Sequence, residues 1–124
     1  MTTPDIHVQV KTQYLADQSV PEEERFVFSY TITLTNRGEE TAQLISRHWI
    51  ITDGNNSVQE VKGMGVIGQQ PVLEPGASYT YTSGVVLSTE TGTMTGTYQM
   101  RTESGSDFEA PIPAFALIPP YLLH

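Results

Sequence analysis

The sequence predicts an all-β protein: an antiparallel β-sandwich of about seven strands or more. Three observations predict it. Apolar and polar residues alternate along several short segments, the period-2 pattern of strands with one buried face. Clusters of Gly, Pro, Asn and Asp punctuate those segments at close intervals. No stretch of about ten residues or more shows helical periodicity with capping signals.

Taken in order, Ile6, Val8 and Val10 alternate with His7, Gln9 and Lys11, and Tyr14 continues their face. Ala16 to Glu24, with Pro21 and a run of glutamates, reads as a loop. The cleanest strand follows. Phe26, Phe28, Tyr30, Ile32 and Leu34 form an aromatic-aliphatic face, and Val27, Ser29, Thr31, Thr33 and Thr35 form a threonine-rich face that can meet water. Asn36-Arg37-Gly38 closes it with turn-tolerant residues.

Leu44 to Thr52 is apolar on both faces and is expected to be a central strand. Strict alternation puts Leu44, His48 and Ile50 on one side and Ile45, Trp49 and Ile51 on the other. Asp53-Gly54-Asn55-Asn56 predicts a hairpin turn in which Gly and Asn supply positive φ, and Val58 to Lys62 is the return strand. Pro71 and Pro75-Gly76 force another turn.

Tyr79 and Tyr81 alternate with threonines, and Val85 to Leu87 extends that strand past Ser83-Gly84. After a turn around Gly92, Met94, Gly96, Tyr98 and Met100 alternate with Thr95, Thr97, Gln99 and Arg101. Ser104 to Asp107 is a further hairpin. Phe108, Ala110 and Ile112 form the last strand, with Pro111 and Pro113 marking an edge or an end. The tail, Pro119 to His124, is expected either to pack back on the sheet or to engage a partner. A tryptophan in an early central strand and tyrosines in a later one suit an immunoglobulin or fibronectin type III arrangement; a closed barrel is the alternative architecture.

At 124 residues one domain, 1–124, is expected, because a second would be too small to bury its own core. With no cysteine, disulfides, thiolate catalysis and cysteine-ligated zinc are excluded. The start, Met1-Thr-Thr-Pro-Asp, has no basic region before an apolar run, and no apolar run approaches the ~20 residues of a membrane span. A soluble, cytoplasmic protein is the expectation. A net charge of −8 and scattered basic residues argue against nucleic acid or an anionic membrane as partner.

One motif invites a nucleotide-binding role: Gly63, Gly65 and Gly68 match G-x-G-x-x-G. A dinucleotide fingerprint needs a helix after its glycines, whose N-terminus holds the pyrophosphate. Here Gln69-Gln70-Pro71 and then Pro75-Gly76 leave no room for one, and no Lys-Ser/Thr follows to make a Walker loop. Glu90 lies at the distance an acidic partner would occupy, but in a turn segment. Two roles stand for the glycines. They bend an edge strand where another backbone comes close, or their amides form an anion-binding concavity. The first is expected. The second names Lys62, Gly63, Gly65 and Gly68 as an anion site, with Arg47 adding charge if it folds nearby.

Other constellations carry less. His7, His48 and His124 are far apart in sequence, without metal-ligand spacing, and His48 is expected to be a hydrogen-bonded core residue. Asp53-Gly-Asn-Asn-Ser matches a calcium loop at few positions, and Glu22 to Glu24 is expected to be solvated. Ser83 lacks a nucleophile elbow. Tyr79, Tyr81, Tyr98 and Met94 suit core packing. Neither catalytic residues nor metal ligands nor a cofactor are indicated. His48 and Trp49 are structural residues or a partner-facing surface.

Ser46-Arg-His-Trp-Ile-Ile-Thr-Asp-Gly-Asn, Glu60-Val-Lys-Gly-Met-Gly-Val-Ile-Gly-Gln-Gln-Pro, Leu73-Glu-Pro-Gly, Tyr81-Thr-Ser-Gly and Met94-Thr-Gly-Thr-Tyr-Gln-Met together resemble the bacterial ApaG family, also called CorD. The resemblance runs over essentially the whole chain to Ile112-Pro-Ala-Phe-Ala-Leu, with no evident departure from the pattern. It implies a fibronectin type III-like sandwich and a link to cobalt resistance and Mg²⁺/Co²⁺ efflux. Related domains in F-box and polymerase-associated proteins imply protein–protein interaction. The family's glycine motif, matched by Gly63, Gly65 and Gly68, is proposed to bind pyrophosphate. The expectation is therefore a non-enzymatic interaction or regulatory domain that acts through a protein partner. The alternative is a binder of pyrophosphate or dinucleoside polyphosphates. A soluble domain cannot itself export cobalt, so that role predicts a membrane partner.

Overall fold

A computed structural model describes residues 3–123. Eight strands run β1 (Ile6–Tyr14), β2 (Phe26–Asn36), β3 (Ala42–Asp53), β4 (Val58–Met64), β5 (Val72–Leu73), β6 (Ser78–Leu87), β7 (Gly92–Thr102) and β8 (Asp107–Leu117). They form two antiparallel layers, β1-β2-β6 and β4-β3-β7-β8, with the short β5 paired to β3 beside β4. The layers are two separate sheets, so the sandwich is the architecture and the closed barrel is not. The Ala16–Glu24 loop contains two single 3₁₀ turns, Ala16–Gln18 and Pro21–Glu23.

β2 shows why the alternation was readable. Phe28, Tyr30, Ile32 and Leu34 all point into the space between the sheets and are buried. Their neighbours face outward and bond β6 through hydroxyls: Thr31 to Thr82 at 2.8 Å, Thr33 to Thr80 at 2.9 Å and Thr35 to Ser78 at 2.8 Å. From the other sheet Leu44, Trp49, Ile51, Met94, Tyr98 and Met100 close the core. Trp49 stands edge-on to Tyr30, Tyr98 and Phe115, with ring centroids 5.3, 6.3 and 5.9 Å away. Such geometry sets the electropositive ring edge against a π face.

β3 departs from strict alternation. Its register with β7 shifts between Leu44, opposite Met100, and Ser46, opposite Gln99, so Ile45 is a bulge residue. The bulge reverses the parity of everything after it. Leu44 therefore shares the inner face with Trp49 and Ile51, whereas His48 and Ile50 face outward with Ser46. This corrects both the face assignment and the expectation that His48 lies in the core.

Two turns differ in detail from expectation. In the Asp53–Ser57 hairpin only Asn56 has positive φ, at 66°, and not Gly54; Asp53 Oδ1 shapes the turn by accepting the amides of Asn55 and Ser57. Asn36, read as a turn residue, is buried. Its amide donates to the carbonyls of Glu40 and Leu73, both at 2.9 Å, and its Oδ1 accepts the Gly38 amide. That one side chain ties the end of β2 to β5. β8 is an edge strand, as its prolines indicated, and runs on to Leu117. The tail packs back: Pro119 is buried, and the Tyr121 hydroxyl donates to Glu90 at 2.7 Å while its ring meets Tyr14 edge-on. His124 lies outside the described residues.

Candidate functional site

The outer face of β4-β3-β7-β8 carries an open groove of about 490 Å³, lined by Ser46, Arg47, His48, Lys62, Gly63, Met64, Gln99 and Glu109. Strand register assembles it. Ser46 lies between Met64 and Gln99, His48 lies between Lys62 and Thr97, and Gln99 faces Glu109. Its floor is already hydrogen-bonded. Ser46 Oγ donates to Gln99 Oε1 at 2.8 Å, and Gln99 Nε2 donates to Thr97 Oγ1 at 2.7 Å and to Glu109 Oε2 at 3.1 Å. These linked bonds hold the Gln99 amide in one orientation. His48 Nε2 stands 3.7 Å from Glu60 Oε1. At the rim Met64 is 67% exposed.

A second hollow of about 280 Å³ continues across β7 and β8 beside Arg101 and Asp107. Arg101 Nε donates to Asp107 Oδ1 at 2.8 Å, and this bond holds the Asp107 carboxyl below the usual range.

The glycine motif is distributed over different surroundings. Lys62 projects from the outer face into the groove. Gly63 alternates inward, where the Arg47 guanidinium crosses it and donates from Nη1 to the carbonyls of Met64 at 3.1 Å and Gly65 at 2.8 Å. Gly65 has φ 64°, and a Cβ there would collide with the Gln69 carbonyl oxygen. Its amide donates to Ile45 at 2.8 Å.

Val66 and Gln69 exchange amide–carbonyl bonds at 2.8 and 2.9 Å, closing a two-residue turn. Its central residues, Ile67 and Gly68, have φ 47° and 73°, the left-handed pair of a type I′ turn. The amides of Gly65, Val66 and Gln69 thus point at carbonyls of the protein itself. Those of Ile67 and Gly68 carry no hydrogen bond among the described residues. Arg47 does fold near the motif, but its Nη1 is committed to backbone.

Behind the groove the two sheets meet at a hydroxyl pair: Tyr81 of β6 and Tyr98 of β7 are hydrogen-bonded at 2.5 Å and both buried. Burial pushes both phenols above their ordinary range, with the neighbouring Arg47 charge a smaller opposing effect. Trp49 is 2% exposed and belongs to the core rather than to a surface, whereas His48 borders the groove. Ser46, Gln99 and Glu109 were not singled out from sequence. The available signal was polar residues at alternate positions either side of the Ser104–Asp107 hairpin. Among the described residues no group of three His, Asp or Glu side chains is placed to hold a metal ion, and no helix is long and apolar enough to cross a membrane.

Strand order and pairing make this an immunoglobulin- or fibronectin type III-like β-sandwich without a disulfide. A family model described as the ApaG domain matches residues 16–102. Protein ApaG of Dechloromonas aromatica is 60% identical over 96% of this chain and 94% of its own length. Protein ApaG of Pseudomonas paraeruginosa is 55% identical over 99% and 98%. A crystal structure of an ApaA protein from Bordetella pertussis superposes with a TM-score of 0.92 at 52% identity, covering 94% of this chain and 95% of that one. The chain belongs to the ApaG family.

Proposed function

We propose that this chain is a non-enzymatic interaction domain that binds a protein partner in the groove on β4-β3-β7-β8, and bears on Mg²⁺/Co²⁺ homeostasis through that partner. The observation that carries this is the pre-bonded groove floor beside the exposed Met64. A partner segment meets oriented donors and acceptors without first having to order them, and Met64 gives it an adaptable apolar contact. A soluble sandwich reaches an efflux process only through another protein, and an open groove suits that role better than an enclosed reaction site.

Capture of partners from native cells, with and without added Co²⁺, tests the proposal when wild type is run beside His48→Asp and Gln99→Ala. A stoichiometric partner held by wild type and lost from both variants is expected. A partner held equally by all three moves the site off the groove, and hydrolysis of a phosphate ester by pure protein overturns the non-enzymatic role.

The second reading, a site for pyrophosphate or a dinucleoside polyphosphate, has in its favour the unbonded amides of Ile67 and Gly68 at the turn tip, with Lys62 on the preceding strand. Titration with pyrophosphate would then shift the amides between Gly63 and Gly68 selectively. Unmoved amides at millimolar ligand would end that reading.

A further inference from the structure

We propose that β4 is a self-recognition edge, at which two copies of the chain pair β4 antiparallel to β4 about a two-fold axis at Val61. The proposal goes beyond the groove and adds a second copy at its rim, where Lys62 and Met64 belong to both surfaces.

β4 ends its sheet and is paired on one side only, to β3. The phase of that ladder is fixed at both ends. The Asp53 amide donates to the Ser57 carbonyl at 3.0 Å, and the Gly65 amide donates to the Ile45 carbonyl at 2.8 Å. Between them Ile51 faces Gln59, Trp49 faces Val61 and Arg47 faces Gly63, every second pair in register. In an antiparallel ladder the hydrogen-bonded pairs alternate with pairs whose N–H and C=O point the other way. Gln59, Val61 and Gly63 therefore bond β3, and Val58, Glu60, Lys62 and Met64 direct their backbone groups to the free edge, where the Met64 carbonyl already accepts Arg47 Nη1 at 3.1 Å and keeps one lone pair for a partner strand.

Those same four residues place their side chains on the outer face. Val58 is 62% and Met64 67% exposed, and the Glu60 side chain is 58% exposed. Written against itself about Val61, the strand sets Val58 opposite Met64 and Glu60 opposite Lys62, each pair occurring twice. Outward-pointing backbone meets outward-pointing backbone, apolar meets apolar, and negative meets positive. A slip of two residues in either direction brings Glu60 onto Glu60 or Lys62 onto Lys62, which cross-strand electrostatics disfavours. A slip of one residue mates outward backbone groups with inward ones. One register remains.

The other edges lack this code. β8 is interrupted by Pro111 and Pro113, which offer no N–H, β6 carries no charged residue, and β1 carries Lys11 but no acidic residue to face it. Pairing at β4 would also set the two grooves side by side on one continuous face, each with Val58 of the second copy beside its own Met64.

Sedimentation of the full chain from ~1 to ~500 μM, the range in which a small interface is populated, tests the proposal. A monomer–dimer equilibrium is expected. Glu60→Lys and Lys62→Glu should each raise the dissociation constant on the order of tenfold or more, since each turns two attractions into repulsions. An equimolar mixture of the two variants should form a heterodimer, because every Lys then faces a Glu. The double swap in one chain should restore the homodimer. Circular dichroism of each variant confirms that it is folded. A monomer at every concentration overturns the proposal, and so does a dimer that neither single reversal weakens. If one single variant unfolds, the double swap decides: a swapped chain that stays monomeric while wild type dimerises rejects the register.

Discussion

The Arg47 guanidinium occupies the space where a side chain at Gly63 would begin. A Cβ on Gly63 would stand 2.8 Å from both Nη1 and Nη2 of Arg47. The first glycine of the motif is thus a clearance for an arginine that reaches across β4 to the carbonyls of Met64 and Gly65.

Each glycine of the motif answers to a different constraint, so alanine should cost different amounts at the three positions. Gly65→Ala meets fixed backbone as well as a left-handed φ and should cost about 3 kcal/mol or more. Gly68→Ala has open space and only the φ penalty, about 1 kcal/mol. Gly63→Ala should cost about 1 kcal/mol by dislodging the guanidinium from its carbonyls. In an Arg47→Ala background that cost should vanish. Urea unfolding followed by Trp49 fluorescence measures all of these. An equal cost of Gly63→Ala in both backgrounds would show that the guanidinium is not the reason for the glycine.

The Tyr81–Tyr98 pair predicts an alkaline limit to stability. Both phenols are raised in the folded protein, chiefly by burial, so the native state keeps protons that the unfolded chain releases above about pH 10. Their contribution is complete below that pH and falls as pH rises, by about 1.4 kcal/mol per pH unit for each tyrosine. Unfolding free energies at pH 9, 10 and 11 should decline in wild type and decline less steeply in the Tyr81→Phe/Tyr98→Phe double variant, which keeps the raised Tyr121 phenol. The same slope in both proteins would remove the pair from the account.

Trp49→Ala should cost about 3–5 kcal/mol, because it empties the space between Tyr30, Tyr98 and Phe115. Thermal unfolding checks this, and a loss under about 1 kcal/mol would contradict the burial of Trp49.

The tail should behave as a local unit. Tyr121→Ala removes the bond to Glu90 and the edge contact with Tyr14, and should speed carboxypeptidase digestion of the tail. Global stability should move by less than about 0.5 kcal/mol, since the ring is exposed. The Tyr121 phenol, pushed up to about 12 by its bond to the Glu90 carboxylate, gives a spectroscopic check: Glu90→Gln should bring it down.

How much of this was readable from the residues depended on how far alternation ran unbroken. β2 alternates buried and half-buried residues without interruption from Phe28 to Asn36, so its faces could be assigned from sequence, although Val27 on the expected outer face is buried too. β3 looked just as regular, but Ile45 is a bulge, and nothing in an isoleucine between Leu44 and Ser46 announces one. The bulge is a property of pairing with β7, so the outward turn of His48 was hidden. Pro71 and Pro75 did rule out a helix after the glycines. What Gly63 makes room for was not visible, because Arg47 comes from the neighbouring strand. The groove was the least legible feature: Ser46, Gln99 and Glu109 meet only through the registers of three strands.

The hydroxyl bonds between β2 and β6 have a consequence of their own. In Thr31–Thr82, Thr33–Thr80 and Thr35–Ser78 either oxygen can be the donor. The heavy atoms are fixed while the protons remain free to reverse, so this seam keeps an orientational freedom that a charged pair would lose. It also contains no group that titrates near neutrality. The outer face of the β2–β6 seam is thereby joined by contacts indifferent to salt and to acidity near neutrality.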